Sequence, residues 1–256
     1  MRVISVYNIK IQVLSDLHQE FGTTELSFAQ ADIVILAGDV NLGTKGIEWI
    51  LATIKDIAVI YILGNHEYYK GSYPKTLHKI KEVAEGTNVQ VLENRSVVIG
   101  DITFHGATLW TDFELLGDSR VNGSICQEKM NDYKMIRRDP TYSKLRSVDT
   151  YVIHKASMKW LEESLASTAT QKNVVVTHHA PSIQSIPSEQ RESVISSAYA
   201  SNLEPFIQKY SPVYWIHGHI HVPARYIVGN TTVLCNPHGY IDEPYNGFNR
   251  NLIIEI

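Results

Sequence analysis

Apolar residues recur along the chain with two different periods. Residues 9–14, 33–37, 58–63, 174–177 and 213–216 are nearly continuous runs rich in Val and Ile, of strand length and bounded by Gly, Asp or Asn. Runs of this kind predict strands buried on both faces. Between them, residues 46–55, 73–84 and 152–165 carry apolar side chains at three- and four-residue spacing, which predicts amphipathic helices. Strands alternating with helices define an α/β fold.

Further β-rich stretches lie at 89–99, 102–109, 224–235 and 252–256, with turn signals at Gly100-Asp101 and Gly229-Asn230 separating hairpin partners. They predict a second sheet or an antiparallel extension of the first. Residues 111–150 differ: they are polar, carry Arg120, Lys129, Lys134, Arg137, Arg138, Lys144 and Arg146, and show no strong strand. An irregular or helical insertion over one edge of the core is expected there, its basic residues forming either a lid or a solvated face. With 256 residues and no internal repeat, the chain is expected to form a single domain over 1–256.

The 23 basic and 27 acidic residues give a net charge of -4, so no global positive field favours a polynucleotide. Two cysteines, Cys126 and Cys235, supply neither a disulfide framework nor a Cys-rich zinc site and are expected to be small buried side chains. The opening 14 residues, interrupted by Arg2, Asn8, Lys10 and Gln12, are too short and polar for a signal peptide or a membrane span. A cytoplasmic protein is expected, with no membrane partner. Residues 1–8 precede the first strand and are expected either to add a strand or to fray.

The residues that end each apolar run carry the chemistry. They are Ser15-Asp16-Leu17-His18, Gly38-Asp39, Gly64-Asn65-His66-Glu67, His178-His179 and His217-Gly218-His219-Ile220-His221. Seven of the 11 histidines fall in these five segments, which places metal-competent groups at strand carboxyl ends, where open α/β sheets bind ligands. In extended backbone, Asp16 and His18 project to one side, as do His219 and His221, so each pair is expected to grip from one direction. Carboxylate and imidazole together suit Mn, Fe, Zn, Co or Ni better than calcium. Asp39 stands alone behind Gly38 and suits a bridge between two metals. Gly38, Gly64 and Gly218 mark abrupt turns with close backbone approach. A nucleophile elbow, a dinucleotide fingerprint and a P-loop are all absent from the sequence.

In order and spacing, these five segments resemble the calcineurin-like metallophosphoesterase superfamily, whose pattern runs Asp-x-His, Gly-Asp, Gly-Asn-His-Asp/Glu, His, Gly-His-x-His. The resemblance spans residues 16–221 and implies a four-layer α/β/β/α sandwich. It implies two divalent or mixed-valence metal ions: Asp16, His18, Asp39 and His221 around one, Asp39, Asn65, His178 and His219 around the other. It further implies hydrolysis of a phosphate ester by a metal-bridging hydroxide, with His66 contacting the phosphoryl group and Glu67 orienting His66. The arginine that follows the Gly-Asp segment in Ser/Thr protein phosphatases is missing from Gly38-Asp39-Val40-Asn41-Leu42-Gly43. A small-molecule phosphodiesterase is therefore expected, ahead of a nucleotide phosphomonoesterase, a nuclease or a non-catalytic interaction scaffold.

Candidates for the substrate-facing shell are Asn41, Tyr68, Tyr69, Arg120 and Tyr240, because a phosphate wants a cationic or hydrogen-bonding wall. His179 and His217 are either supports of the metal ligands or ordinary hydrogen-bonded histidines. His78, His105, His154 and His238 are expected to be ordinary.

Overall fold

The computed structural model describes residues 8–168 and 172–256. The expectation for residues 1–8 lies, up to residue 7, outside the described residues. The first half runs β1 (Lys10–Leu14), β2 (Ile33–Ala37), α1 (Lys45–Thr53), β3 (Ala58–Ile62), β4 (Ser72–Tyr73), α2 (Lys75–Ala84), β5 (Val89–Val91), β6 (Arg95–Ile99) and β7 (Ile102–Ala107). It is followed by α3 (Ser119–Lys129), α4 (Asp132–Met135), β8 (Arg137–Arg138), β9 (Ser143–Lys144) and α5 (Ser147–Ser167). The last part runs β10 (Lys172–Thr177), α6 (Glu204–Tyr210), β11 (Tyr214–His217), β12 (Ala224–Val228), β13 (Thr231–Cys235) and β14 (Ile253–Glu255).

The fold is mixed α/β, with two principal sheets. One has five strands in the order β14-β1-β2-β3-β5, all parallel except β14. The other has six in the order β12-β13-β11-β10-β7-β6, with a parallel centre and an antiparallel hairpin partner at each edge. Both hairpins turn where the sequence predicts, at Gly100 and Gly229, each with positive φ.

Alternating side chains explain why the central strands read as continuous apolar runs. Ile11, Val13, Ile33, Ile35, Ile60 and Ile62 of the first sheet pack with Phe104, Val174, Val176, Ile216 and Leu234 of the second in one buried cluster. The opposite face of the first sheet, with Val34, Leu36, Val59 and Tyr61, packs on Ile47 and Ile50 of α1 and Leu77 and Ile80 of α2. The opposite face of the second, with Val175, Trp215 and Val233, packs on Leu161 and Leu165 of α5 and Ile207 of α6. Helix, sheet, sheet and helix follow one another, each interface removing apolar surface from water.

Two expectations need correction. Residues 89–99 are not one β stretch: β5 ends the first sheet and β6 edges the second. The chain changes sheets at Leu92, fully buried between them, and turns at Asn94 with φ 49°. Segment 111–150 is part helical and part irregular, as expected, but β8 and β9 add a three-stranded ribbon with β4. Asp118 starts α3 by accepting the backbone N–H groups of Arg120 and Val121. Both cysteines are buried and free, as expected. Among the described residues, no helix is long and apolar enough to cross a membrane.

Candidate metal centre

The carboxyl ends of β1, β2 and β3 meet those of β10 and β11, and direct bonds join the two sheets there. His178 Nδ1 lies 2.9 Å from the Ala37 carbonyl oxygen, and the His219 N–H donates to Asp16 Oδ1 at 2.9 Å. The backbone at this junction is not extended. Asp16, His18, Asp39 and His219 all have positive φ, at 53°, 45°, 54° and 67°. Such conformations cost on the order of 1–3 kcal/mol each and persist where the surroundings enforce them. Here the Asp16 N–H donates to the Gly38 carbonyl and the His18 N–H to that of Asp39, both at 3.0 Å. At Gly64 a Cβ would collide with Asp39 Oδ1 and the His178 ring, so glycine is required by the closeness of the site.

The left-handed turns also change how the paired residues act. His219 and His221 do not grip from one direction. Asp16, His18 and His221 bring one ligand-capable atom each within 4.8 Å of one another, and Asp39, His178 and His219 do the same as a second group. Asp39 lies between the two, its Oδ2 3.4 Å from His178 Nε2 and 3.8 Å from His18 Nε2. Asn65 Oδ1 joins the second group at 3.0 Å from His178 Nε2.

Several features fit these donors to metal ions. His18 Nε2 and His221 Nε2 stand 3.2 Å apart, as do His219 Nδ1 and His178 Nε2. Nitrogens bound tetrahedrally at about 2.0–2.1 Å to one zinc-like ion stand about 3.3 Å apart. Three of the four other nitrogens are tied back, His18 Nδ1 to Glu20 at 3.1 Å, His221 Nδ1 to Glu243 at 2.7 Å and His178 Nδ1 to the Ala37 carbonyl, while His219 Nε2 is buried without a partner among the described residues. Carboxylates and carbonyls behind ligand imidazoles fix ring orientation and raise basicity.

His66 stands beside this centre. Its Nδ1 lies 2.8 Å from Glu20 Oε1, its Nε2 3.2 Å from the Tyr240 hydroxyl, and its ring stacks on Tyr69 at 4.2 Å. In the metal-free protein, burial lowers the His66 pKa, but the Asp39 and Glu20 charges outweigh it and push it up to about 9. Burial raises Glu20, yet hydrogen bonds with His18 and His66 hold it down at about 2. Glu67, expected to orient His66, does something else. Its buried carboxylate accepts the N–H groups of Asp39, Val40 and Gly64 and the Tyr61 hydroxyl, at 2.7–3.0 Å. Glu67 therefore knits the ends of β2 and β3 together, and Glu20 takes the place beside His66.

The other candidates separate cleanly. Tyr240 reaches the site, its ring 4.5 Å from that of His18 and 4.6 Å from that of His221. Tyr68 is fully buried in the core beside Trp110 and Tyr73, so it does not face substrate. Asn41 Oδ1 accepts its neighbour Leu42's N–H, and the side chain does not line the cavity over the centre. Arg120 lines a separate surface depression with Glu114 and Asp118. His179 is buried with its ring 4.4 Å from that of His219, and burial with the nearby His178 pushes its pKa down to about 3. His217 is buried behind the centre, bonded to Ser185 Oγ and the Gly218 carbonyl.

A cavity of about 660 Å³ opens over Asp39, Asn65, His66, His219 and His221. Its walls include Met130, Pro187, Tyr199, Tyr240 and Tyr245, and Lys129 is the one Lys or Arg among its described lining residues. Glu20, Asp132, Tyr199 and Glu243 have site contacts that sequence reasoning missed, whereas Lys129, which lines the cavity, is one of the basic residues expected to form a lid or a solvated face. Only Glu20, two residues beyond His18, carried a sequence signal.

Residues 9–223 match the family described as calcineurin-like phosphoesterase, and the chain belongs to that family. An uncharacterised protein of Acanthamoeba polyphaga mimivirus is 25% identical over 277 residues, covering 96% of each chain. Phosphopantetheinyl hydrolase from Mycobacterium tuberculosis shares the fold with a TM-score of 0.74 at 17% identity, over 97% of this chain and 96% of that one. A protein of Thermus thermophilus is similar at a TM-score of 0.53 and 11% identity, over 90% of each chain.

Proposed function

We propose that the protein is a small-molecule phosphodiesterase with two divalent metal ions. Asp16, His18, Asp39 and His221 would hold one, and Asp39, Asn65, His178 and His219 the other, with Asp39 shared. The observation that carries this reading is the pair of donor groups meeting at Asp39 under the cavity. Ions of this kind, when bound, lower the pKa of water and stabilise charge on phosphoryl oxygens. The chain's own residues orient the ester. His66 presents Nε2 to the phosphoryl group and hands a proton to the leaving oxygen, while Glu20 holds Nδ1.

A diester is favoured over a monoester by the sparse positive charge. A monoester carries about two negative charges at pH 7, whereas beyond the ions and His66 the described walls offer Lys129 as their one Lys or Arg, and Glu243 opposes it. The cavity's size lies within the usual range for ligand pockets and leaves room for two organic arms. The tyrosine faces support a second reading, a nucleotide phosphomonoesterase that stacks a base. Similarity of fold to the phosphopantetheinyl hydrolase makes a phosphopantetheine ester a further substrate to assay.

Purified protein should hydrolyse bis(p-nitrophenyl) phosphate faster than p-nitrophenyl phosphate when supplied with Mn, Fe, Zn, Co or Ni. A reversed preference would select the phosphomonoesterase. Inactivity on both with every metal would refute an enzyme of this class. Asp39→Asn should reduce both activities by about 100-fold or more, since it removes charge shared by both ions.

A further inference from the structure

Segment 111–150 reads as a polar insertion, yet α4 opens on Asp132, a carboxylate buried against the metal centre. Asp132 Oδ1 accepts the Asn65 Nδ2–H group at 2.9 Å and the Tyr69 hydroxyl at 2.7 Å. The oxygen and nitrogen of an amide are nearly the same size, so only its partners decide which one points where. With Nδ2 tied to Asp132, Asn65 turns Oδ1 towards His178 Nε2, 3.0 Å away, and into the group that contains Asp39. An amide oxygen can bind a cation, whereas the NH₂ group, a double donor, cannot. The same Asp132 oxygen anchors Tyr69, whose ring stacks on His66 at an interplanar angle of 26°.

We infer that Asp132 is a positioning residue of the metal centre: it locks the Asn65 amide with its oxygen towards the cation and steadies the ring that packs on His66. The inference rests on the metal-site reading above. It makes 111–150 a structural part of the centre, since no other described residue holds Asn65 Nδ2 except the Tyr69 hydroxyl, at 3.3 Å. That hydroxyl is itself oriented by Asp132.

A double-mutant cycle read by calorimetric titration of Mn(II) into metal-free protein separates positioning from mere folding. Asp132→Ala should weaken binding at the site of Asp39, Asn65, His178 and His219 by about 10–100-fold, the range for losing a partner of a metal ligand. Asn65→Asp in the native background should also weaken binding, because it sets two carboxylates where a donor and an acceptor now meet at 2.9 Å. In the Asn65→Asp background, Asp132→Ala should strengthen binding: the repulsion is gone, and a carboxylate presents an oxygen whichever way it turns. The effect of Asp132→Ala thus reverses sign between backgrounds. Equal weakening in both backgrounds, or no weakening in either, would overturn the positioning role while leaving the metal centre intact. A wild-type chain that binds neither Mn, Zn nor Co would overturn the metal-site reading itself. Should Asp132→Ala fail to fold, Asp132→Leu carries the test: it is close to aspartate in shape but has no acceptor for the Asn65 amide, so it predicts the same reversal against Asn65→Asp.

Discussion

Replacing Glu67 by Gln tests whether one buried carboxylate holds the two central strand ends in register. Glu67 is fully buried, with Oε2 accepting the N–H groups of Asp39 and Gly64 and Oε1 accepting the Val40 N–H and the Tyr61 hydroxyl. Burial and the Asp39 charge push its pKa up to about 7, but three of these four partners are backbone N–H donors, so a proton on Glu67 would find an acceptor only if the Tyr61 hydroxyl turned. Glutamine has one acceptor oxygen and a donor group of nearly the same shape. In its better orientation the NH₂ replaces Oε1: the Tyr61 hydroxyl can rotate to accept, and the Val40 N–H is stranded. A stranded buried donor costs about 1–3 kcal/mol, and the remaining bonds lose the charge that strengthened them. Together these give a destabilisation of about 2–4 kcal/mol, a large share of the roughly 5–15 kcal/mol typical of whole proteins. Urea unfolding of the metal-free protein reads this directly, with Tyr61→Phe as a control that removes one donor, strands no backbone N–H and should cost less than Glu67→Gln. A Glu67→Gln loss below about 1 kcal/mol would refute the assignment of Glu67 as the knot between β2 and β3.

Tyr240→Phe keeps the ring against His18 and His221 but frees His66 Nε2 from its 3.2 Å partner. A substrate should then enter without displacing a hydrogen bond worth about 1 kcal/mol, so KM should fall about 2–5-fold with kcat nearly unchanged; a 100-fold loss of kcat would instead make the phenol a participant. Arg120→Ala should leave kcat and KM within about 2-fold of wild type, because Arg120 lies outside the cavity that covers the metal centre, and a several-fold rise in KM for an anionic ester would contradict that placement. Added Mn(II) at about 100 times its dissociation constant should stabilise the protein by about 2.7 kcal/mol per independent site, and a chelator should remove that gain in thermal unfolding. An unmoved transition would argue against binding at Asp16 and Asp39.

The parts of this site that were legible in the sequence are those the fold itself places. Strands delivering Asp16, Asp39, Asn65, His178 and His219 at their carboxyl ends bring ligands together whatever the loops do, so local pattern and order sufficed. Direction along the backbone was not legible. Expecting Asp16 and His18 to share an extended backbone misses their positive φ, which depends on carbonyls of Gly38 and Asp39 supplied by the neighbouring strand. The adjacent tyrosines show the same limit, since the turn of helix over His66–Tyr68 sends Tyr68 into the core and leaves Tyr69 against His66.

What fixes the orientation of the predicted ligands is less regular than the ligands themselves. His18, His178 and His221 have their second ring nitrogens held by Glu20, the Ala37 carbonyl and Glu243, and Asn65 is held by Asp132. These partners come from a residue two positions away, the backbone of the opposite sheet, a loop near the chain's end and a helix 67 residues further on. None of them belongs to the five segments that announce the chemistry. Imidazole basicity and amide orientation nevertheless depend on them, so metal preference can change through Glu20, Asp132 or Glu243 while every ligand stays the same. The ligand pattern therefore identifies the reaction class, and on the proposed reading the choice of ion and of ester falls to the partners behind it and to the tyrosine walls.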